Sequence, residues 1–96
     1  MPQATRLGDS STGHDACSPT ELMTASENVF INGKGAGRKG DIYAIHGCDE
    51  HTSHNDSISE GSSTVFINGL PAGRVGDSVE MSGKVAKGSL DVFIGG

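Results

Sequence analysis

The 96-residue chain is poor in the residues that build an apolar core. It has no tryptophan, aromatic residues make up 4% of the sequence, and hydrophobic residues make up 33%. A chain of this kind cannot bury a thick core, so a metal ion, oligomerisation or docking on a partner has to add stability. Its length is enough for one small domain.

Basic residues and long apolar runs are also scarce. Seven basic residues stand against 12 acidic ones, and the net charge of −5 argues against a nucleic-acid partner. No run approaches the roughly 18 apolar residues of a membrane span, and the first six residues do not resemble an apolar signal segment. We therefore expect synthesis in the cytoplasm without a signal peptide.

Cysteine is too rare for a disulfide scaffold, because Cys17 and Cys48 are the only two and form no CxxC pair. Histidines surround these two cysteines in the sequence: His14, His46, His51 and His54. In a chain with little core, this mixture indicates metal ligation before disulfide bonding.

What the chain does have is an internal repeat. Residues 26–41 and 62–77 align without gaps at an offset of 36, and eleven of sixteen positions are identical (Ser, Val-Phe-Ile-Asn-Gly, Ala-Gly-Arg and Gly-Asp). Half-copies lie near both ends: residues 6–9 match the closing Arg-x-Gly-Asp, and residues 89–96 match the opening Ser-x-x-Val-Phe-Ile-x-Gly. We predict a single domain, residues 1–96, in which the two half-copies pair and close a pseudo-threefold ring. Its full repeats span about 26–47 and 62–83, and its half-repeats span about 5–15 and 89–96.

Each repeat is typical of β structure. Val-Phe-Ile is a short β-branched and aromatic run, and Asn-Gly favours a two-residue hairpin turn. Ala-Gly-Arg-x-Gly-Asp would then form the return strand. The prediction is a small all-β cone of short hairpins, and the alternative is a small β-sandwich whose repeat reflects duplication alone.

The repeat also relates two of the histidines. His14 follows Asp9 by five residues and His46 follows Asp41 by five, so threefold closure would bring them together near the axis. Further ligands can come from His51 and His54, in a polar, turn-rich insertion of the second unit. Cys48 or Cys17 is the alternative fourth ligand. The metal predicted is one structural Zn²⁺, with iron as the alternative, and its binding would contribute folding free energy.

A catalytic metal site is the competing interpretation. Glu50 beside His51 could act as a general base, although the sequence has no HExxH spacing and no GxSxG nucleophile motif. This reading gives the alternative function, a small metal-dependent hydrolase acting on the cell envelope.

The repeat resembles the Pro-Ala-Ala-Arg signature of PAAR-repeat proteins. The matching stretches are Gly35-Ala36-Gly37-Arg38 and Pro71-Ala72-Gly73-Arg74, together with Gly13-His14 and the closing Val92-Phe93-Ile94-Gly95-Gly96. Neither stretch is a full Pro-Ala-Ala-Arg. Many family members carry a ligand cysteine where this chain has Met81-Ser82-Gly83, which favours the His51/His54 segment for the fourth ligand.

The resemblance implies a non-enzymatic tip that caps and sharpens the trimeric β-helical spike of a type VI secretion system or a contractile phage tail. One chain would sit on each trimer, at the end of a spike exported by or with the machine, with transient contact with the target membrane and with separate effector proteins as further partners. His14 and His46 would be metal ligands near the vertex. We expect an apolar base that meets the spike to come from the three Val-Phe-Ile motifs: Val29, Phe30, Ile31, Val65, Phe66, Ile67, Val92, Phe93 and Ile94.

Overall fold

The computed structural model describes residues 1–13, 19–44, 46–48, 51–54, 56–80 and 83–96, with 46–48 and 51–54 described by their backbone. Within these ranges there is no α-helix, and the regular structure consists of three two-stranded antiparallel sheets. The sheets pair β1 (Phe30–Ile31) with β2 (Lys34–Gly35), β3 (His46–Cys48) with β4 (His51–His54), and β5 (Phe66–Ile67) with β6 (Leu70–Pro71). A membrane-crossing helix is not found among those residues. The all-β prediction is confirmed.

Three sectors of equal length make up the ring. Two are continuous, residues 26–41 and 62–77, and the third, which we call the split sector, combines residues 89–96 with residues 2–9. One isolated β-bridge joins each sector to the next: Arg38 with Ala72, Arg74 with Ala4, and Arg6 with Ala36. Because these bridges occupy equivalent positions and return to their starting point, the predicted pseudo-threefold closure is confirmed.

The split sector forms its hairpin from the two ends of the chain. Gln3 bridges Phe93, as Gly35 pairs with Phe30 in β1–β2. The Ile94 amide donates to the Pro2 carbonyl at 2.9 Å. Two distant segments thus replace one continuous hairpin.

The Asn-Gly steps form the turns that the sequence predicts. Asn32 and Gly33 have φ of 55° and 77°, and both central residues at positive φ are typical of a type I′ turn. The predicted return strand, Ala-Gly-Arg-x-Gly-Asp, is wrong, because the residues that pair across each turn are the two that precede this segment, Lys34–Gly35 and Leu70–Pro71. Ala36 and Arg38 then pair with the neighbouring sectors instead.

Each Arg-x-Gly-Asp segment is a turn held by two interactions, a backbone hydrogen bond and an ion pair between its first and last residues. In the first continuous sector the Asp41 amide donates to the Arg38 carbonyl at 3.0 Å, and Gly40 at φ 94° makes the turn feasible. The Arg38 guanidinium donates from Nε and Nη2 to the Asp41 carboxylate, both at 2.9 Å. Arg6–Asp9 and Arg74–Asp77 repeat this arrangement. Since the carboxylates are buried, loss of either partner would leave an uncompensated charge.

Two small apolar clusters lie on either side of a central hydrogen-bonded ring. The ring consists of Thr5, Gly37 and Gly73, each of whose amides donates to the carbonyl of the next at 2.9–3.1 Å. The first cluster contains the alanines and isoleucines of the hairpin layer: Ala4, Ala36, Ala72, Ile67 and Ile94. The second cluster contains Leu22, Tyr43, Ile58, Val79 and Val85. The molecule is longer than it is wide, at 37 × 24 × 23 Å.

Candidate functional sites

The Val-Phe-Ile motifs are divided between the core and the surface. Ile67 and Ile94 are buried in the first cluster, and Ile31 packs against it. Successive side chains of a strand point to opposite faces, so the phenylalanine before each isoleucine faces outward. The isoleucines of the predicted apolar base therefore pack in the hairpin layer, and the phenylalanines remain exposed.

Three exposed phenylalanines occupy equivalent positions round this layer. Phe30 is 60% exposed, Phe66 56% and Phe93 45%. Val29 and Val65 beside them are each 37% exposed, whereas Val92 is half-buried against the first cluster. An apolar group repeated in every sector and left in solvent marks a surface that a threefold partner can cover.

The insertion that carries three of the histidines is a hairpin. We predicted a turn-rich segment, and this is wrong, because β3 and β4 pair in an antiparallel register with one irregularity. His46 lies opposite His54, and Cys48 lies opposite His51. Directly opposed residues of an antiparallel pair have Cα atoms about 4.5–5.5 Å apart. The backbone thus places four nitrogen- or sulfur-bearing residues in two cross-strand pairs of one short hairpin, with the register irregularity between the pairs.

The other predicted ligands, His14 and Cys17, lie outside the described residues. Among the side chains that the structure describes, no three His, Cys, Asp or Glu residues form a group that could hold a metal ion. The metal prediction therefore depends on the β3–β4 hairpin and on residues 14–18.

The hairpin emerges from the second apolar cluster. The Tyr43 amide donates to the Asp56 carbonyl at 2.8 Å. This bond joins the segment that leads into β3 to the segment that follows β4. Burial, together with the charges of Asp9 and Asp77, raises the pKa of the Tyr43 phenol above its ordinary value. The phenol therefore stays neutral at physiological pH.

Side-chain hydrogen bonds between sectors are a feature that the sequence analysis does not predict. Asn68 Nδ2 donates to Asn28 Oδ1, and Asn32 Nδ2 donates to Asp91 Oδ1, both at 2.9 Å. The two asparagines were interpreted only as turn residues. The sequence does contain a feature that could have predicted these bonds, because Asn28 and Asp91 hold equivalent positions two residues after the repeated serine.

The comparison with protein families bears on these sites. A family model described as the PAAR motif matches residues 49–96, which is half of the chain and includes β4, the second continuous sector and the closing segment. The chain belongs to the PAAR-motif family. The matched region contains Pro71-Ala72-Gly73-Arg74, whose arginine makes the bridge to Ala4 that closes the ring. A comparison with curated proteins gives no match.

Membership of the PAAR family supports a role at the tip of the spike of a contractile injection system. The fold is compatible with that role, since one PAAR chain presents three similar sectors round a common axis. Its two candidate sites lie in different layers, the phenylalanines on the hairpin layer and the histidine hairpin beyond the second cluster.

Proposed function

We propose that this PAAR protein caps a trimeric β-helical spike, one chain per trimer, as a mechanical tip without enzymatic activity. The observation that carries the proposal is the equivalent placement of Phe30, Phe66 and Phe93 in three sectors of one chain. The end of a β-helix exposes unpaired strand edges, which have to be covered. A single chain with three matching faces can cover three identical strand ends, and its narrow body would concentrate force on the target membrane.

The first prediction concerns these phenylalanines. Replacing any one of Phe30, Phe66 or Phe93 with alanine should weaken binding to a soluble spike trimer about five- to tenfold, because each ring buries a similar apolar area. The three losses should be alike, since the trimer presents the same surface to each. Isothermal titration calorimetry measures the affinity, and native mass spectrometry measures the stoichiometry.

A matched control for this experiment lies in the split sector. Leu90 is 92% exposed, but its counterparts in the other sectors are Glu27 and Ser63, so it has no threefold equivalents. Leu90→Ala should leave the affinity unchanged. Three chains bound per trimer, or a loss at Leu90 as large as those at the phenylalanines, would contradict the cap.

We further propose that the β3–β4 hairpin holds one structural zinc ion. The donor chemistry supports this, because imidazole nitrogen and thiolate sulfur are the usual ligands of structural zinc, and this segment brings both to opposed positions. His46 and His54 would bind the ion, with His14 as a third ligand and His51, Cys48 or Cys17 as the fourth. Iron is the alternative metal.

The second prediction tests the ligands by metal content. His46→Ala and His14→Ala should each lower bound metal from about one ion per chain towards zero, and they should lower the melting temperature, since metal binding contributes folding free energy. Thr52→Ala, in β4 but outside the two opposed pairs, is the control. Inductively coupled plasma mass spectrometry identifies the metal and counts it. Full metal content in both histidine variants would overturn the assignment.

A further inference from the structure

The two Asn-Gly steps are chemically alike but have different neighbours. In an Asn-Gly step the following amide nitrogen can attack the asparagine side-chain carbonyl, because glycine has no side chain to hinder it. Ammonia leaves and a cyclic imide forms. Water then opens the ring to aspartate or isoaspartate, so the net change is one water in and one ammonia out, with a neutral amide replaced by a carboxylate.

Asn68 has neighbours that accept this change. Its Oδ1 accepts from Arg38 Nη1 at 3.0 Å, and its Nδ2 donates to Asn28 Oδ1 at 2.9 Å. A carboxylate at position 68 keeps the bond from Arg38 Nη1, just as one at position 32 keeps the bond from Arg6 Nη1. The two sites therefore differ in the partner of the side-chain Nδ2. Asn28 can turn its side-chain amide and donate instead of accepting, although its Oδ1 then loses the bond from the Ser26 hydroxyl at 3.1 Å. The partner at this site is thus a neutral amide and not a carboxylate.

Asn32 has neighbours that do not accept it. Its Oδ1 accepts from Arg6 Nη1 at 2.9 Å, but its Nδ2 donates to the Asp91 carboxylate, also at 2.9 Å. The Ser89 hydroxyl, with one hydrogen to donate, lies 2.6 Å from Asn32 Oδ1 and 2.9 Å from Asp91 Oδ1. A carboxylate at position 32 would face the carboxylate of Asp91 without the Nδ2 hydrogen, and the single Ser89 hydroxyl hydrogen can bond to only one of the two. One of the two must then take up a proton, or the contact must open.

The position of Asp91 determines which part of the molecule is freed when the Asn32–Asp91 contact breaks. Asp91 belongs to residues 89–96, the closing segment of the split sector, and the Asn32–Asp91 contact ties that segment to the first continuous sector. We propose that Asn32 is a modification site at which spontaneous loss of the side-chain amide loosens the closing segment from the first continuous sector, while its bonds to the second continuous sector remain. The same reaction at Asn68 leaves the ring closed.

Other charges near the contact limit the effect without cancelling it. Arg6 and Lys87 line the same surface depression of about 460 Å³ as Asn32 and Asp91. Arg6 is already bound to the Asp9 carboxylate through Nε and Nη2. The amide of Asn32 is the first cause of the lowered pKa of Asp91, and Ser89 adds to it. The contact therefore stabilises the fold above the ordinary carboxyl pKa of about 4, and this stabilisation is lost as the pH falls through the lowered value.

The third prediction uses Asn32→Asp and Asn68→Asp as matched mimics of the two products. At pH 7, Asn32→Asp should lower the melting temperature by about 5 °C, in the range expected for the loss of one contact in a domain of this size. Asn68→Asp should leave it within about 1 °C. The deficit of Asn32→Asp should shrink as the pH falls through the carboxyl range, because one of the two opposed carboxylates then takes up a proton. Equal losses in the two variants would overturn the proposal.

A double variant that exchanges the two side chains tests the proposal even if Asn32→Asp alone fails to fold. Combining Asn32→Asp with Asp91→Asn swaps the amide and the carboxylate and should restore the melting temperature to within about 2 °C of the parent. A double variant as unstable as the single one would overturn the proposal.

Ageing of the unaltered full chain tests the reaction itself. After incubation at pH 8 and 37 °C, limited proteolysis should remove residues 83–96 faster from molecules that carry the +1 Da product at residue 32 than from those that carry it at residue 68. Peptide mass spectrometry assigns the positions. Absence of any product at residue 32, or equal cleavage of both populations, would count against the site.

Discussion

Three equivalent positions meet at the centre of the ring, but there is space for the side chain of only one of them. Thr5, Gly37 and Gly73 hold equivalent positions, and only the split sector has a side chain there. A Cβ at Gly37 would lie 2.7 Å from the Thr5 methyl and 2.9 Å from Leu22 Cδ2. A Cβ at Gly73 would meet the same methyl at 3.0 Å. The Thr5 methyl thus fills the axis, and glycine in the other two sectors leaves room for it.

The fourth prediction follows from this crowding. Gly37→Ala should destabilise the fold by about 1–3 kcal/mol, which is the usual cost of overpacking a buried site. Gly73→Ala should cost less, because its contacts are longer. Adding Thr5→Ser to Gly37→Ala removes the obstructing methyl and should recover part of the loss, which denaturant unfolding can measure. A Gly37→Ala variant as stable as the parent would show that the axis has space to spare.

At the scale of the elements, the turns and the pairing of the two half-copies were predictable, and the extent of each strand was not. The turns at Asn32-Gly33 and Asn68-Gly69 follow from the conformations those residues allow, and the structure has them. The return strand could not be bounded, because Ala36 and Arg38 find their partners in other sectors. Which residue of Val-Phe-Ile faces the core also depends on the alanines across the layer, which lie far away in the sequence.

The second cluster escaped prediction for a different reason. Leu22, Ile58 and Val85 are equivalent, since each donates its amide to the carbonyl of the aspartate that ends its turn: Asp9, Asp41 and Asp77. Their separations from those aspartates are 13, 17 and 8 residues (22 − 9, 58 − 41 and 85 − 77). An ungapped repeat cannot relate positions whose intervening loops differ in length. The histidine hairpin lies within the longest of these loops, so its strands were missed as well.

At the scale of the whole molecule, the chain is a ring whose opening lies where the other two sectors have their hairpin turn. Gly96 has φ of 84°, close to the 77° of Gly33 and the 79° of Gly69. Pro2 occupies the position of Lys34 and Leu70, which directly follow those glycines. A peptide bond from Gly96 to Pro2, without Met1, would place a third turn here. Gly95, at the position of Asn32 and Asn68, is not at positive φ and would have to change its conformation to match the other two turns. We therefore expect that moving the chain ends from this hairpin turn to another changes the stability of the ring only slightly.

The fifth prediction is that this opening can be moved. A circular permutant that joins Gly96 to Pro2 and begins at Gly69 should fold, with a melting temperature within about 5 °C of the parent, because the new ends lie in an exposed turn. A second permutant, joined in the same way but opened between Lys39 and Gly40, breaks a turn that is held by both a backbone hydrogen bond and the Arg38–Asp41 ion pair. It should unfold or melt far lower. Circular dichroism melts distinguish the two. If both permutants were equally stable, the Arg-x-Gly-Asp turns would not hold the ring together, and if both were unfolded, the three hairpin turns would not be interchangeable.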